Sequence, residues 1–222
     1  MLLLLWWLGA GCEEEKDERS AKVAAEVAKL IGTCGQLADD ADPDRILVPL
    51  GGNSGKPRTI EVIDPLCPPC ADFERRLTAR GLDKKIHRLG LLVPLDSECN
   101  WMVSERFHPG ACAVSEAVLC AGDRAPQVLA WAYEQAEALA AASRQSQDRA
   151  AQMAGARFPD LASCIGSPAV KQRLNKGLRF AVRNQLEAIA PQVFLDRVKL
   201  CNRESDPSLE DQLAVMLESR RP

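Results

Sequence analysis

Residues 61–77 read EVIDPLCPPCADFERRL and place two cysteines, Cys67 and Cys70, at the junction of two predicted elements. The β-type run Thr59–Ile63 comes before the pair and predicts a strand. The apolar residues after the pair recur at helical spacing and predict a helix. The order of elements is therefore strand, short loop, cysteine pair and helix.

This placement gives the two cysteines different chemistry. Cys67 is expected at the start of the helix, where unpaired backbone N–H groups and the helix dipole favour a thiolate. An accessible thiolate of low pKa is the attacking species in thiol–disulfide exchange. Cys70 is expected one turn inside, where it can resolve a mixed disulfide. Pro68 and Pro69 fit the first helical turn, where their missing N–H groups cost little.

The rest of the chain predicts an α/β protein. The sequence GGNSGKP joins two β-type runs, Ile46–Leu50 and Thr59–Ile63, and predicts a hairpin. Residues 13–20 predict a charged linker, and residues 99–186 predict a large inserted helical subdomain. The other predicted elements are a helix from Ser20, a strand at Lys85–Val93, a helix opened by Ser167 and Pro168, a closing hairpin of Gln192–Leu195 with Val198–Cys201, and a final helix after Asp206 and Pro207.

The N-terminus resembles an export signal. Residues 1–11, MLLLLWWLGAG, are almost wholly apolar and shorter than the roughly 20 residues that a membrane span needs. Small residues directly before Cys12 resemble the bacterial lipoprotein processing site, where the cysteine is lipidated, although Gly9 stands where Leu is usual. The alternative is that this run ends a longer membrane segment. In the first case, lipidated Cys12 would attach the protein to the membrane.

The composition favours an oxidising compartment. The chain has 222 residues, nine cysteines, two histidines and a formal net charge of −3, with no basic patch typical of a nucleic-acid-binding protein. One Cys-x-x-Cys and two histidines, His87 and His108, make a poor zinc site. Without Cys12 the cysteines number eight. This number fits one redox pair and three structural disulfides, whose pairing the sequence does not determine. The cysteines outside the pair stand singly, at Cys12, Cys34, Cys99, Cys112, Cys120, Cys164 and Cys201.

The segment EVIDPLCPPCADFERRL resembles the active-site segment of thioredoxin-fold proteins, and the helical insertion is similar to that of the DsbA branch. Residues 21–222 would then form a thioredoxin-like domain behind the N-terminal residues 1–20. The resemblance implies that Glu61, six residues before Cys67, is a buried acid that moves protons. It also implies that Ala190 and Pro191 form the cis-proline loop, which binds the substrate backbone together with Pro68 and Pro69. Glu61 on the solvent face of its strand and a trans Pro191 are the alternatives.

The segment from Asp96 to Cys112 also resembles the DsbA-like domains associated with bacterial vitamin K epoxide reductase homologues. That resemblance implies a periplasmic or cell-envelope thiol–disulfide oxidoreductase acting on exported cysteine-containing proteins. A quinone-linked membrane oxidase of the vitamin K epoxide reductase type would be its partner, and no cofactor or metal would be needed. We assign the structural bridges as Cys99–Cys112, Cys120–Cys164 and, by elimination, Cys34–Cys201.

Several alternatives remain open at this level. A metallochaperone would bind copper or zinc through Cys67, Cys70 and a histidine, and a scaffold protein would use every cysteine as a structural bridge. Cys99 and Cys112 could form a second redox pair. We interpret His108 as a loop or capping residue, and Trp101, Phe107 and Trp131 as packing residues. The sequence leaves open whether the protein oxidises, isomerises or reduces disulfides.

Overall fold

The computed structural model describes residues 10–146 and 148–220, with side chains described from residue 18 except at residue 147. The apolar run at residues 1–9 and the side chain of Cys12 therefore lie outside the described residues, together with the lipoprotein expectation that rests on them. Among the helices that are described, none is both long enough and apolar enough to span a membrane.

The described residues form one five-stranded mixed sheet in the order β1-β3-β2-β4-β5. Strand β2 lies at the centre, parallel to β3 and antiparallel to β4. Strands β1 and β5 lie at the edges, antiparallel to β3 and β4 respectively. The strands are β1 (Val48–Gly51), β2 (Arg58–Ile63), β3 (His87–Leu92), β4 (Gln192–Leu195) and β5 (Val198–Lys199).

The predicted hairpin between the first two strands is wrong. Strand β1 pairs with β3, so β3 lies between β1 and β2. Strand β2 is buried at nearly every position and therefore needs partners on both sides, whereas β1 contains Pro49, which cannot donate a backbone hydrogen bond and suits an edge. The close packing of β1 depends on Gly90, where an added Cβ would lie 3.0 Å from a methyl group of Val48.

The second predicted hairpin is confirmed. Strands β4 and β5 pair directly, and Asp196 and Arg197 form the turn with positive φ angles of 44° and 80°. The N-cap of the helix after Ser167 is also confirmed, because the Ser167 side chain accepts a hydrogen bond from the N–H of Val170. Both features depend on local turn and capping chemistry, which a sequence displays directly.

The helices comprise one before the sheet, one after β2, a block between β3 and β4, and one at the end. Residues 99–110, expected to be part of the helical block, form turns that lead to Gly110, whose φ of 94° stops a helix from extending backward. The helices are α1 (Ala10–Leu30), α2 (Pro68–Ala79), α3 (Ala111–Ala121), α4 (Ala125–Glu134), α5 (Ala136–Gln145), α6 (Asp148–Arg157), α7 (Pro168–Arg183) and α8 (Leu209–Glu218).

The charged linker predicted at residues 13–20 is also wrong, because α1 runs through this segment. Glu, Lys, Arg and Ala are strong helix formers, and the ion pair between Glu18 and Lys22 has the i, i+4 spacing that supports a helix. The apolar residues of the same helix, Val23 and Val27, pack into a core cluster with α8. The charged side chains of Glu18, Arg19 and Lys22 therefore lie on the exposed face of a helix.

The two faces of the sheet carry separate apolar clusters. On one face Ile60 and Val62 pack against α7. On the other face Val193 and Leu195 pack against α2 and α8. Because side chains alternate along a strand, Glu61 lies on the α2 face, opposite its neighbours. The sheet thus directs an acidic side chain toward the helix that carries the cysteine pair.

Candidate active site

Cys67 is the N-cap residue of α2, with an extended backbone (φ −80°, ψ 118°). Pro68 and Pro69 occupy the first helical positions, where the missing N–H groups would have no intrahelical partner, and both are exposed. The carbonyl of Cys67 accepts hydrogen bonds from the N–H groups of Cys70 (3.1 Å) and Ala71 (3.2 Å). The CPPC sequence therefore fixes where the helix begins.

The two cysteines of the pair differ in how readily they ionise. Cys67 and Cys70 are both unbonded, and they are 3% and 1% exposed. A hydrogen bond from the Cys70 thiol lowers the pKa of Cys67 against the opposing effect of burial. Burial raises the pKa of Cys70 well above its usual value. Cys67 is thus the more readily ionised thiol of the pair, although it is less accessible than the sequence predicts.

The loop before β4 covers Cys67. The Ala190–Pro191 peptide bond is cis, and the Sγ atom of Cys67 donates a hydrogen bond to the carbonyl oxygen of Ala190 at 3.4 Å. Asn202 binds the same loop, because its side-chain amide donates a hydrogen bond to the carbonyl oxygen of Pro191 at 3.2 Å. The structure therefore brings Cys67, Cys70, Ala190 and Pro191 together at one end of the sheet.

Glu61 lies in a buried ion pair. Nε and an Nη atom of Arg88 donate to its two carboxylate oxygens at 2.8 and 2.7 Å, and Thr59 donates a further hydrogen bond at 3.1 Å. Arg88 also binds Glu74 of α2 at 2.6 and 2.9 Å. The carboxylate neighbours raise the pKa of Arg88 despite its burial. Glu61 is thus buried, with both oxygens already occupied by a cation.

Asp64 is a site residue that the sequence analysis missed. It is fully buried, three residues before Cys67, and its carboxylate accepts hydrogen bonds from the N–H groups of Leu66 (2.7 Å) and Leu95 (2.5 Å). Its negative charge raises the pKa of both cysteines. The available signal was its position at the carboxyl end of β2, where polar residues often form sites in α/β sheets.

His108 lies in the loop before α3, as the sequence predicts, and its carbonyl accepts the N–H of Ala111 at 3.0 Å, but its side chain also contacts Asp64. Its Nδ1 atom lies 3.0 Å from an oxygen of Asp64, within ion-pair distance but too sharply angled for a directed hydrogen bond. This contact with Asp64 raises the pKa of His108. His108 also lines an open cavity of about 500 Å³ with Leu66, Pro68 and Phe107. It therefore stands beside both sequence neighbours of Cys67.

The other described cysteines are joined in three disulfides. The pairs are Cys34–Cys201, Cys99–Cys112 and Cys120–Cys164, the same pairs that the sequence analysis assigned. Cys99, Cys120 and Cys164 pack against the apolar cluster that contains Cys67 and Cys70. The bridges therefore brace the helical block that surrounds the unbonded pair.

A metal site at the cysteine pair finds no support in the described side chains. Their single cluster of three candidate ligands is Cys34, Cys201 and Asp206, and two of these residues are bonded to each other. His108, the histidine near Cys67, has its Nδ1 directed at Asp64.

Comparison with known proteins identifies the fold. No family profile matches the chain, and no curated protein matches it either. Solved structures do match: DsbA1 of Neisseria meningitidis (TM-score 0.56, 15% identity, 83% of this chain and 91% of that one) and a protein-disulfide isomerase of Novosphingobium aromaticivorans (0.55, 16%, 77% and 97%). A ScsC variant of Proteus mirabilis also matches (0.51, 15%, 95% and 87%). The predicted thioredoxin-like fold with an inserted helical subdomain, of the DsbA type, is confirmed.

Proposed function

We propose that this protein is a thiol–disulfide oxidoreductase that exchanges disulfides with exported proteins through Cys67 and Cys70. One observation carries the proposal. Two unbonded thiols, one of lowered and one of raised pKa, lie at a helix N-terminus, while six other cysteines are bridged. A purely structural role would not require two unbonded thiols whose pKa values are shifted in opposite directions. The similar structures are those of a DsbA protein and a protein-disulfide isomerase, which agrees with this chemistry.

The exchange uses the two thiols in sequence. In the oxidising direction, a substrate thiolate attacks Sγ of Cys67 in the Cys67–Cys70 disulfide, and Cys70 leaves and takes up a proton. A second substrate thiolate then attacks the mixed disulfide and releases the Cys67 thiolate. Two electrons pass from the substrate to the protein, and one disulfide replaces another. The reducing direction is the same path reversed, starting with attack by Cys67.

The surfaces around Cys67 suit an extended substrate. Pro68 and Pro69 are exposed on one side of Cys67, and the loop with Ala190 and Pro191 covers the other. Because Cys67 is itself buried, an incoming chain must displace the Ala190 carbonyl from its thiol. We infer that the substrate backbone binds along this loop and takes over that contact.

The proposed location is the periplasm or cell envelope. Three disulfides in one chain are stable in an oxidising compartment and rare in the cytosol. Lipidation of Cys12 would attach the N-terminus to the membrane. The electron acceptor for the reduced pair would then be a quinone-linked membrane oxidase of the vitamin K epoxide reductase type, which the resemblance of residues 96–112 suggests.

The experiment that tests the proposal measures the reduction potential of Cys67–Cys70 in graded glutathione buffers. Samples are quenched in acid, alkylated after unfolding and mapped by mass. A reversible couple between about −120 and −200 mV supports an oxidase or isomerase, and about −270 mV supports a reductase. The Cys120–Cys164 bridge is the internal control and should remain oxidised. A Cys67–Cys70 pair that does not titrate would overturn the proposal.

A further inference from the structure

The loop between β2 and α2 contains a buried anion that acts against the proposed nucleophile. Both oxygens of Asp64 are bound by main-chain N–H groups, from Leu66 and Leu95, so the carboxylate is held in a fixed position. The carbonyl of Asp64 accepts the N–H of Cys67 at 3.2 Å, so the anion and the nucleophile share one tight turn. The charge of Asp64 raises the pKa of Cys67 and so disfavours a second negative charge on the sulfur.

His108 supplies the opposite charge at the same place. It comes from the turn before α3, which packs against the β2–α2 loop, and its Nδ1 lies 3.0 Å from Asp64. The charges of Asp64, Cys67 and Asp96 all favour its protonated form. Asp96 is itself paired with Arg106 at 2.8 Å, so its charge is largely compensated. The imidazole of His108 thus lies between the buried carboxylate and the cavity beside Pro68.

We propose that His108 is the positioning residue that compensates Asp64 and thereby keeps Cys67 available as a thiolate. This inference rests on the proposed redox role of Cys67. A CPPC pair has no histidine between its cysteines, and here a histidine from a distant turn provides the cation. His108 acts through charge alone and transfers no proton during the exchange.

Among the charged groups that act on Cys67, His108 is the titratable cation. Glu137 and Arg144 of α5 line the same cavity as His108. Besides burial and the Ala190 carbonyl, the groups that act on the Cys67 sulfur are Cys70, Asp64 and His108. Burial raises the pKa of the nearby Tyr133, which therefore remains neutral. Asp64 opposes the thiolate, Cys70 supports it through a hydrogen bond, and His108 supports it only while protonated. The stabilisation that His108 gives to the Cys67 thiolate is therefore fully present at pH values below the raised pKa of His108 and is lost above it.

The redox consequence follows from the leaving group. When the mixed disulfide with substrate is resolved in the oxidising direction, Cys67 leaves as a thiolate, and a more stable thiolate leaves faster. A stabilised thiolate also stabilises the dithiol form and raises the reduction potential of the pair. Loss of the cation should therefore make the protein a weaker oxidant.

The test compares His108→Gln, His108→Lys and His87→Gln in the reduced, full-length protein. His87, the other histidine, lies on β3 and is not among the groups that act on Cys67. The readouts are the pKa of Cys67, from the ultraviolet absorbance of its thiolate, and the equilibrium constant with glutathione. Circular dichroism and thermal melting check that each variant folds.

We expect His108→Gln to raise the pKa of Cys67 by about one unit at most and to shift the equilibrium up to tenfold toward the disulfide, about 30 mV. His108→Lys should retain the low pKa and remove the pH dependence above neutrality. His87→Gln should match the wild type. Equal effects of Gln and Lys, or no effect of Gln, would overturn the inference. A wild-type pair that does not titrate in glutathione would refute the proposed function instead, while the absorbance titration would still test the charge effect.

Discussion

Arg88 binds Glu61 through two hydrogen bonds, of 2.8 and 2.7 Å, on the face of the sheet that α2 covers. Each side chain is almost fully buried, so each is the principal counter-charge of the other. Glu74 of α2, whose side chain is half-exposed, forms an ion pair with the same guanidinium. The pair therefore links the central strand, its parallel neighbour and the helix that begins at Cys67.

Replacing Arg88 with Met should destabilise the fold strongly. The change would leave the buried Glu61 carboxylate without a cation, which costs about 3–5 kcal/mol in comparable pairs. Urea denaturation of the oxidised protein measures the loss. Glu74→Gln is the matched control, and its loss should be below about 1 kcal/mol because its side chain is 39% exposed. Equal losses in the two variants would contradict this account of the ion pair.

The thiol of Cys67 should ionise at lower pH than an ordinary cysteine. Its folded pKa is lowered chiefly by the hydrogen bond from Cys70, so the thiolate persists as pH falls and is lost only through that lowered pKa. Thiolate absorbance of the reduced protein should therefore show a midpoint below about 8.5 that is absent from Cys67→Ser.

The Cys70→Ser variant refines that measurement. A serine hydroxyl can still donate to the thiolate, so the midpoint should rise only slightly, whereas Cys70→Ala should raise it clearly. If Cys67 titrated in the folded protein as it does after unfolding in urea, the proposed asymmetry of the pair would be wrong.

The longest disulfide loop should contribute most to stability. Cys34–Cys201 closes 167 residues and Cys99–Cys112 closes 13, which correspond to about 5 and about 3 kcal/mol of loop entropy in the unfolded chain. Paired Cys→Ser variants should lose stability in that order in guanidinium denaturation. The opposite order would mean that native packing around the shorter bridge outweighs chain entropy.

Two exposed apolar residues flank Cys67 and should contact protein substrates. Phe107, which the sequence suggested was a packing residue, is instead 59% exposed at the cavity beside Pro68, and Ile189 is 48% exposed directly before the cis loop. Phe107→Ser or Ile189→Ser should raise KM for an unfolded protein substrate about fivefold, equivalent to roughly 1 kcal/mol of lost apolar contact.

The control for this prediction is Val182→Ser on α7, where a similarly exposed residue lines a different cavity with Trp101. Its KM should be unchanged. Turnover of a small disulfide such as oxidised glutathione should also be unchanged in all three variants, because it reaches only the thiol. An equal loss with the small substrate would point to damage at Cys67 rather than to a lost substrate contact.

The sequence by itself determined the features that depend on neighbours along the chain. The helix start at Cys67 follows from two prolines that suit a first helical turn, and the β4–β5 hairpin follows from a two-residue turn. The Ser167 cap has the same origin. These features are local because each backbone or capping group finds its partner within a few residues.

Tertiary structure decided the features that join distant segments. Strand β1 pairs with β3 because the central strand needs partners on both sides, which no local turn signal can reveal. Glu61 is neutralised by Arg88 on the neighbouring strand, and Asp64 meets His108 from the turn before α3. A buried charge is stable only beside a counter-charge, and folding, rather than sequence spacing, selects which one lies within about 3 Å.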